Sequence, residues 1–466
     1  MNTSKAFREE CGVFGIWNDE EASRLTYLGL YALQHRGQES AGIVSLNRRE
    51  RGPVHFHHKG LGLVADVFKE KDLDRLKGKA SIGHVRYSTT GQNLLTNAQP
   101  LTAQLKTGPI AIAHNGNIVN GGELREELSQ SGAIFQGTND TEVLLHLIAR
   151  QPKEDFLKGL QVNIEKLVGA FSLLILSDSR MIAVRDPNGF RPLVLGRRKN
   201  TKGEWASVLA SETCAFDLIG AEFVREIKPG EIFWVDEEGE HSVIYSESKK
   251  LAQCIFEHVY FSRPDSVVFG KSVYEARKEF GRTLATESPI DADIVIPVPD
   301  SGVPAAIGYS EKSKIPFELG IIRNHYVGRT FIEPKQSIRS FGVKIKLNPQ
   351  TAILKGKRIV VVDDSLVRGT TSQKIIQLVR NAGAKEVHLR IAAPPTKGSC
   401  YYGVDTPNPN ELIANKMSVS DICKEIGADS LAYLSHEGML NAAGGTDATH
   451  CTACFSLKYP TPINSK

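Results

Sequence analysis

The stretch Val360-Val361-Val362-Asp363-Asp364-Ser365-Leu366-Val367-Arg368-Gly369-Thr370-Thr371 constrains the fold of this chain more than any other. Its apolar run, with Ile359 in front, shows no polar alternation. Such a run predicts a strand buried on both faces, as in a parallel sheet. The run stops at two adjacent carboxylates. A loop with one glycine follows, and two threonines lead into a helical pattern near Ser372–Asn381 that Gly383 ends. The same order recurs nearby. Ile294–Val298 reads as a strand, a Pro/Gly turn follows, and Val303–Tyr309 continues it, while Val387–Ile391 reads as a further strand. Strands alternating with helices imply an α/β domain with a parallel sheet and crossover helices.

In open α/β sheets, ligands sit at the carboxyl ends of the strands. The unpaired N–H groups of a helix N-terminus suit a phosphate there. Asp363 and Asp364 are suited to accept bonds from ribose hydroxyls or to hold Mg²⁺. Val298-Pro299-Asp300-Ser301-Gly302 follows another buried strand and offers a second loop at the same edge. Between the loops, the basic stretch 323–331 and then Arg339, Lys344 and Lys346 read as a lid over an anionic ligand.

The first half is organised differently. Short apolar strands such as Ile110–Ala113 and Phe171–Leu176 dominate, and Ser177-Asp178-Ser179-Arg180 reads as a hairpin turn between Phe171–Leu176 and Met181–Val184. Helices are expected near Ala22–Gln34 and Thr141–Arg150. This is an α+β pattern. The chain turns polar around Glu237–Lys250, where the boundary between the halves is expected.

Cys11 follows ten mostly polar residues and opens the apolar run Cys11-Gly12-Val13-Phe14-Gly15-Ile16. Removal of residues 1–10 would place its thiol beside a free α-amino group. Such an amine has a pKa of about 7.7–8.0 and serves as a general base near neutral pH. The alternative is a buried structural cysteine.

The hydrophobic fraction, 41%, and charged fraction, 24%, are those of an ordinary soluble enzyme, and the net charge of +4 gives no bulk attraction to nucleic acid. No apolar run approaches the ~20 residues of a membrane span, and residues 1–10 lack the apolar core of a secretory signal. Seven cysteines, an odd number, argue against a disulfide framework and for a reducing, cytoplasmic setting. Cys254, Cys400, Cys451 and Cys454 contain one C-x-x-C pair, and their spacing suits either tetrahedral zinc or a [4Fe–4S] cluster. Cys214 and Cys423 read as structural.

The Asp363–Thr371 stretch resembles the phosphoribosylpyrophosphate-binding motif of the phosphoribosyltransferase family. The resemblance implies that Asp300, Ser301, Gly302, Asp363, Asp364, Ser365, Arg368, Gly369, Thr370 and Thr371 bind phosphoribosylpyrophosphate, with Ser301, Asp363 and Asp364 on Mg²⁺. In the first half, Cys11 is followed by Leu33-Gln34-His35-Arg36-Gly37-Gln38-Glu39-Ser40, His84-Val85-Arg86-Tyr87-Ser88-Thr89, His114-Asn115-Gly116-Asn117 and Thr138-Asn139-Asp140-Thr141-Glu142. In this order they resemble a class II glutamine amidotransferase domain of the N-terminal nucleophile type, an αββα sandwich. The resemblance implies Cys11 as nucleophile, Asn115 and Gly116 as oxyanion donors, and Arg36, Arg86, Thr89 and Asp140 as the glutamine site, with Arg86 on the α-carboxylate and Asp140 on the α-ammonium.

Together the halves resemble the glutamine phosphoribosylpyrophosphate amidotransferases, in the branch that carries an iron–sulfur cluster. That resemblance, through Tyr260-Phe261-Ser262-Arg263-Pro264-Asp265, Pro394-Pro395 and Cys451-Thr452-Ala453-Cys454-Phe455, implies a [4Fe–4S] cluster on Cys254, Cys400, Cys451 and Cys454. It further implies a propeptide at 1–10, a glutaminase at 11–240, a phosphoribosyltransferase at 255–466, inhibition by purine nucleotides and a homo-oligomer, dimer or tetramer.

Overall fold

The computed structural model describes residues 11–49, 52–87, 94–150, 156–247, 250–324, 347–404, 406 and 408–463. The expected propeptide, Thr89 and nearly all of the expected basic lid, 325–346, lie outside these residues.

Two antiparallel sheets pack face to face in the first half. One runs, in spatial order, Glu222–Glu226, Val194–Lys199, Trp205–Ala210, Gly12–Trp17, Ala80–Arg86, Ser40–Arg49 and Gly52–Leu61. The other runs Gly239–Ile244, Glu231–Asp236, Met181–Arg185, Gly169–Leu176, Gly108–Ile118 and Leu101–Leu105. Side chains of alternate residues fill the space between them: Val13, Trp17, Ile82, Ala111, Ala113, Leu174 and Met181 share one core. The opposite faces take helices. Phe14 and Ile16 meet the helix Ala22–Ala32, and Ile112 and Leu173 meet Thr141–Ala149. Every residue of Gly12–Trp17 is buried because this central strand is covered on both faces. Gly29 makes the helix fit, since a Cβ there would lie 2.3 Å from the Phe14 ring. The αββα sandwich matches the expectation.

The expected hairpin is present, with Ser177 N donating to the Arg180 carbonyl at 3.0 Å. The helix expected over Ala22–Gln34 ends at Ala32, and a separate 3₁₀ turn, Gln34–Arg36, carries the chain onward. The β-structure runs past the expected edge at 240. Gly239–Ile244 pairs with Glu231–Asp236 throughout. The polar composition there belongs to an exposed edge strand rather than a linker, since edge strands tolerate charge.

The second half holds a parallel sheet in the order Ile294–Pro297, Arg358–Asp363, Glu386–Ile391, Ser430–Tyr433. Helices Val273–Glu287, Val303–Ser313 and His436–Ala443 cover one face; Thr370–Asn381 and Val419–Ile426 cover the other. The first two cross closely through glycines. A Cβ on Gly281 would lie 1.8 Å from the Ala305 carbonyl oxygen, and one on Gly308 would lie 1.9 Å from that of Lys278. Among the described residues no helix is long and apolar enough to cross a membrane.

Candidate active sites

The first site gathers where the two sheets of the sandwich meet. Cys11 is buried and sits just before its strand. Gly12 pairs with Val85, which sets Arg86 and Tyr87 beside Cys11 at the end of the neighbouring strand. The Cys11 thiol donates to the Tyr87 carbonyl oxygen at 3.6 Å. Asn115 and Gly116 come from the other sheet, and Ser211 links them to the first. Ser211 Oγ accepts from Val13 N at 3.0 Å and from Asn115 Nδ2 at 3.4 Å. Ser211 N in turn donates to the Val13 carbonyl at 3.0 Å. Among the described residues, Asn115 Oδ1 is buried without a hydrogen-bond partner. Gly116 has φ of +143°, and a Cβ there would lie 2.1 Å from the Ala170 carbonyl oxygen, so no other residue fits.

Asp140 precedes the helix Thr141–Ala149 and accepts from Ile118 N at 2.9 Å. Burial alone would raise its carboxyl, but His114 at 3.7 Å and the Ile118 and Thr141 bonds outweigh this and hold it below the usual range. His114 is fixed by Thr141 Oγ1 at 2.9 Å, and its backbone N–H donates to Gln99 Oε1 at 2.7 Å. Burial pushes His84 down to about 3, so it stays neutral against the His114 carbonyl.

Arg36, expected at the glutamine site, lies in a buried ion-pair network beside Cys11. Its guanidinium is wholly buried and pairs with Glu212 and with Glu257, at 2.7 and 2.9 Å to the latter. Its Nε donates to the Cys11 carbonyl at 3.2 Å. Two carboxylates pair with Arg36, and it also holds the Cys11 backbone. Glu212 also takes His35 and the backbone N–H of Arg263, and Glu257 also takes Arg191. The partners lie 176 and 221 residues from Arg36 in the chain, and no local pattern in the sequence marks them.

The second site is a cleft of about 240 Å³ at the carboxyl edge of the parallel sheet. Ser301, Asp363, Asp364, Ser365, Arg368, Gly369, Thr370 and Thr371 line it, with Tyr260 opposite. Gly369 takes φ of +79° to start the helix Thr370–Asn381, whose first N–H groups have no side-chain cap. Burial and mutual proximity push the Asp363 carboxyl well up, and burial raises Asp364 against bonds from Ser301 and Ser365. A cation at this edge would relieve that repulsion. Arg277, fully buried, is near enough to Asp364 for their charges to interact. Burial lowers it to about 10, with Asp364 opposing, and it donates to the His258 and Ser262 carbonyls at 2.8 Å each.

Two expected ligand residues stand apart from the cleft lining. Asp300 is exposed and takes Arg323. Gly302 lets its loop approach the next strand, where a Cβ would lie 2.5 Å from the Val362 carbonyl oxygen. Arg368 lines the cleft but pairs with Glu411.

Cys254, Cys400, Cys451 and Cys454 converge on one apolar pocket with Phe190, Phe256, Tyr402 and Val404. Cys254 and Cys451 are register partners in a short parallel pair. Cys400 Sγ accepts from Tyr402 N at 3.2 Å. Burial pushes Cys451 up to about 12, and burial with the neighbouring cysteines pushes Cys454 well above the usual thiol range. Thiolates at these positions require a cationic centre among them.

A sandwich with a buried cysteine at its first strand, joined to a phosphate-type cleft on a parallel sheet, defines a two-domain glutamine-dependent transferase. Residues 84–217 match a glutamine amidotransferase domain and 277–409 a phosphoribosyl transferase domain. Amidophosphoribosyltransferase 2, chloroplastic, of Arabidopsis thaliana is 56% identical over 97% of this chain and 80% of its own length. Amidophosphoribosyltransferase of Bacillus subtilis (strain 168) is 48% identical over 98% and 96%. A solved structure of the allosteric regulatory enzyme of purine biosynthesis superposes with a TM-score of 0.92 at 48% identity, covering 97% of both chains. That of glutamine phosphoribosylpyrophosphate amidotransferase from B. subtilis, complexed with ADP and GMP, gives 0.91 at 47% over 97% and 98%. The chain belongs to the amidophosphoribosyltransferase family.

Proposed function

We propose that Cys11 is the nucleophile of a glutaminase whose ammonia is consumed at the Asp363–Thr371 cleft. The enzyme hydrolyses glutamine to glutamate and ammonia, and transfers the ammonia to 5-phosphoribosyl 1-pyrophosphate. The products are 5-phosphoribosylamine and pyrophosphate, in the first committed step of purine synthesis. The observation that carries the assignment is Ser211. By bonding both Val13 and Asn115 it ties the nucleophile's strand to the oxyanion strand.

With residues 1–10 removed, the α-amine of Cys11 takes the thiol proton and the thiolate attacks the glutamine side-chain amide. Asn115 Nδ2 and the Gly116 N–H receive the oxyanion. Arg86 binds the α-carboxylate and Asp140 the α-ammonium; Thr89 belongs to the same site. The Cys11 α-ammonium returns the thiol proton to the amide nitrogen as ammonia departs, and water releases glutamate from the thioester. At pH 7 ammonia freed into water becomes ammonium and loses its nucleophilic lone pair, so transfer must be sheltered.

In the second site Ser301, Asp363 and Asp364 would hold Mg²⁺, which when bound neutralises charge on the departing pyrophosphate. The Thr370–Thr371 N–H groups and hydroxyls receive the 5-phosphate, with Ser365, Arg368 and Gly369 shaping its loop. Asp300 and Gly302 support the pyrophosphate loop. Cys254, Cys400, Cys451 and Cys454 would hold the [4Fe–4S] cluster, which ties the start of the second domain to its end. The four cysteines line one apolar pocket, and this convergence supports the cluster. A cytoplasmic homo-oligomer, dimer or tetramer, inhibited by purine nucleotides completes the proposal; the B. subtilis relative was solved with ADP and GMP.

Cys11→Ser tests the core of it. Glutamine-dependent pyrophosphate release should be lost, while ammonia-dependent release should stay within about twofold of the unaltered enzyme. Retained glutamine turnover would remove Cys11 from the mechanism.

A further inference from the structure

The second domain reaches into the glutaminase through one short loop. Gly403 has φ of +105°, and a Cβ there would lie 3.0 Å from both Cα and C of Gly116 and 3.2 Å from its O. The residues before it are fastened to the same strand or beside it. Asn117 Nδ2 donates to the Tyr401 carbonyl at 2.9 Å. Arg191 donates to the Tyr402 carbonyl through Nε at 3.0 Å and Nη2 at 2.8 Å. The Tyr402 ring stacks on Phe190 at 4.2 Å.

We propose that Gly403 is a positioning residue for the first half-reaction: its backbone is the seat that fixes Gly116 Cα, and through it the adjoining N–H, as an oxyanion donor. This rests on the reading of Asn115 and Gly116 as the oxyanion hole. An oxyanion hole works because its donors are held in place before charge develops, and a shift well under 1 Å at a strand end misaims an N–H. Gly116 lacks a side chain with which to anchor itself. Its Cα lies close against the neighbouring strand on one side, at Ala170, and against Gly403 on the other. A Cβ at 403 would press on Gly116 and force a shift of a few tenths of an ångström, and the left-handed φ independently favours glycine. Asn117 then locks the register of loop on strand. The same surface also reaches the nucleophile. Arg191 pairs with Glu257 at 3.2 Å, Glu257 with Arg36 at 2.7 Å, and Arg36 with the Cys11 carbonyl at 3.2 Å.

The test compares Gly403→Ala and Asn117→Ala with the parent holoenzyme. An oxyanion contact acts in the transition state and leaves ground-state binding alone. Gly403→Ala is therefore expected to lower kcat for glutamine hydrolysis by about 10- to 100-fold, with KM for glutamine and ammonia-dependent turnover each within about twofold. Iron and acid-labile sulfide content should not change. Asn117→Ala should give a smaller kcat loss of the same kind, and it decides the matter if Gly403→Ala does not accumulate as folded protein. Glutamine kcat within twofold of the parent in the folded variants overturns the proposal. So does a parallel fall in ammonia-dependent turnover or in cluster content, which marks a general structural role. Asn115→Ala separates the two readings. If it keeps full glutamine kcat, the oxyanion assignment itself fails. If it loses activity while Gly403→Ala and Asn117→Ala do not, only the positioning role fails.

Discussion

Arg36 is held by partners that its own motif does not name. The run Gln34-His35-Arg36-Gly37 marks a functional arginine, but not which way it faces. In the folded chain it pairs with Glu212 and Glu257, and steadies Cys11 through one backbone bond. Burial opposes ionisation of Glu257, yet the Arg36 and Arg191 guanidiniums outweigh it and hold the carboxyl at about 2. The unfolded chain returns it to about 4.3. A carboxyl depressed in the folded state contributes stability that is complete above the unfolded value and is lost as pH falls toward the folded one. Stability should thus fall between about pH 4.3 and pH 2 in part through Glu257. In urea titrations from pH 7 to pH 3, Glu257→Gln should start lower and show a shallower decline on acidification. Parallel curves for the two proteins would show that Glu257 is not the group responsible.

The helix pair Val273–Glu287 and Val303–Ser313 makes a different demand. Each glycine at the crossing faces a backbone carbonyl of the other helix, at Ala305 and Lys278. A backbone carbonyl cannot rotate away as a side chain would, so an added methyl must push the helices apart. Overpacking of this kind costs about 1–3 kcal/mol. Gly308→Ala should lower the urea midpoint accordingly without altering KM for glutamine, because the crossing lies on the far domain. An unchanged midpoint would mean the helices separate freely. Elements of this sort were largely legible in sequence. The apolar runs at 294–298 and 359–362 each became a parallel strand, because a doubly covered strand has no polar face to disguise it; 387–391 became one too, although His388 and Arg390 alternate with its apolar residues. The edge strand Gly239–Ile244 was not, since an exposed edge carries the same polar residues as a linker. The roles of Ser211, Arg191, Glu257 and Gly403 were equally hidden. Their meaning lies in partners brought near only by the fold, as Arg191 meets Tyr402 across 211 residues.

Arg36, Arg191, Glu212 and Glu257 have fully buried side chains, and they join the two halves of the molecule. Burying four charges is expensive, and the cost is met only while every partner is present. Each half alone lacks part of the set. Arg36, Arg191 and Glu212 come from the sandwich, whereas Glu257 follows Cys254 into the second domain. Opening one half would therefore leave charges stranded in the other. The structure predicts that the halves unfold together. Calorimetry of the holoenzyme should show a single transition, and Glu257→Ala, which leaves two arginines without that carboxylate, should cost about 3–5 kcal/mol and split the transition in two. Two resolved transitions in the unaltered protein would show that the network does not couple the halves. Coupling of this kind suits the chemistry. Ammonia made at one site is useful only if the other site is held against it, and a molecule that comes apart between its halves would spend glutamine for nothing.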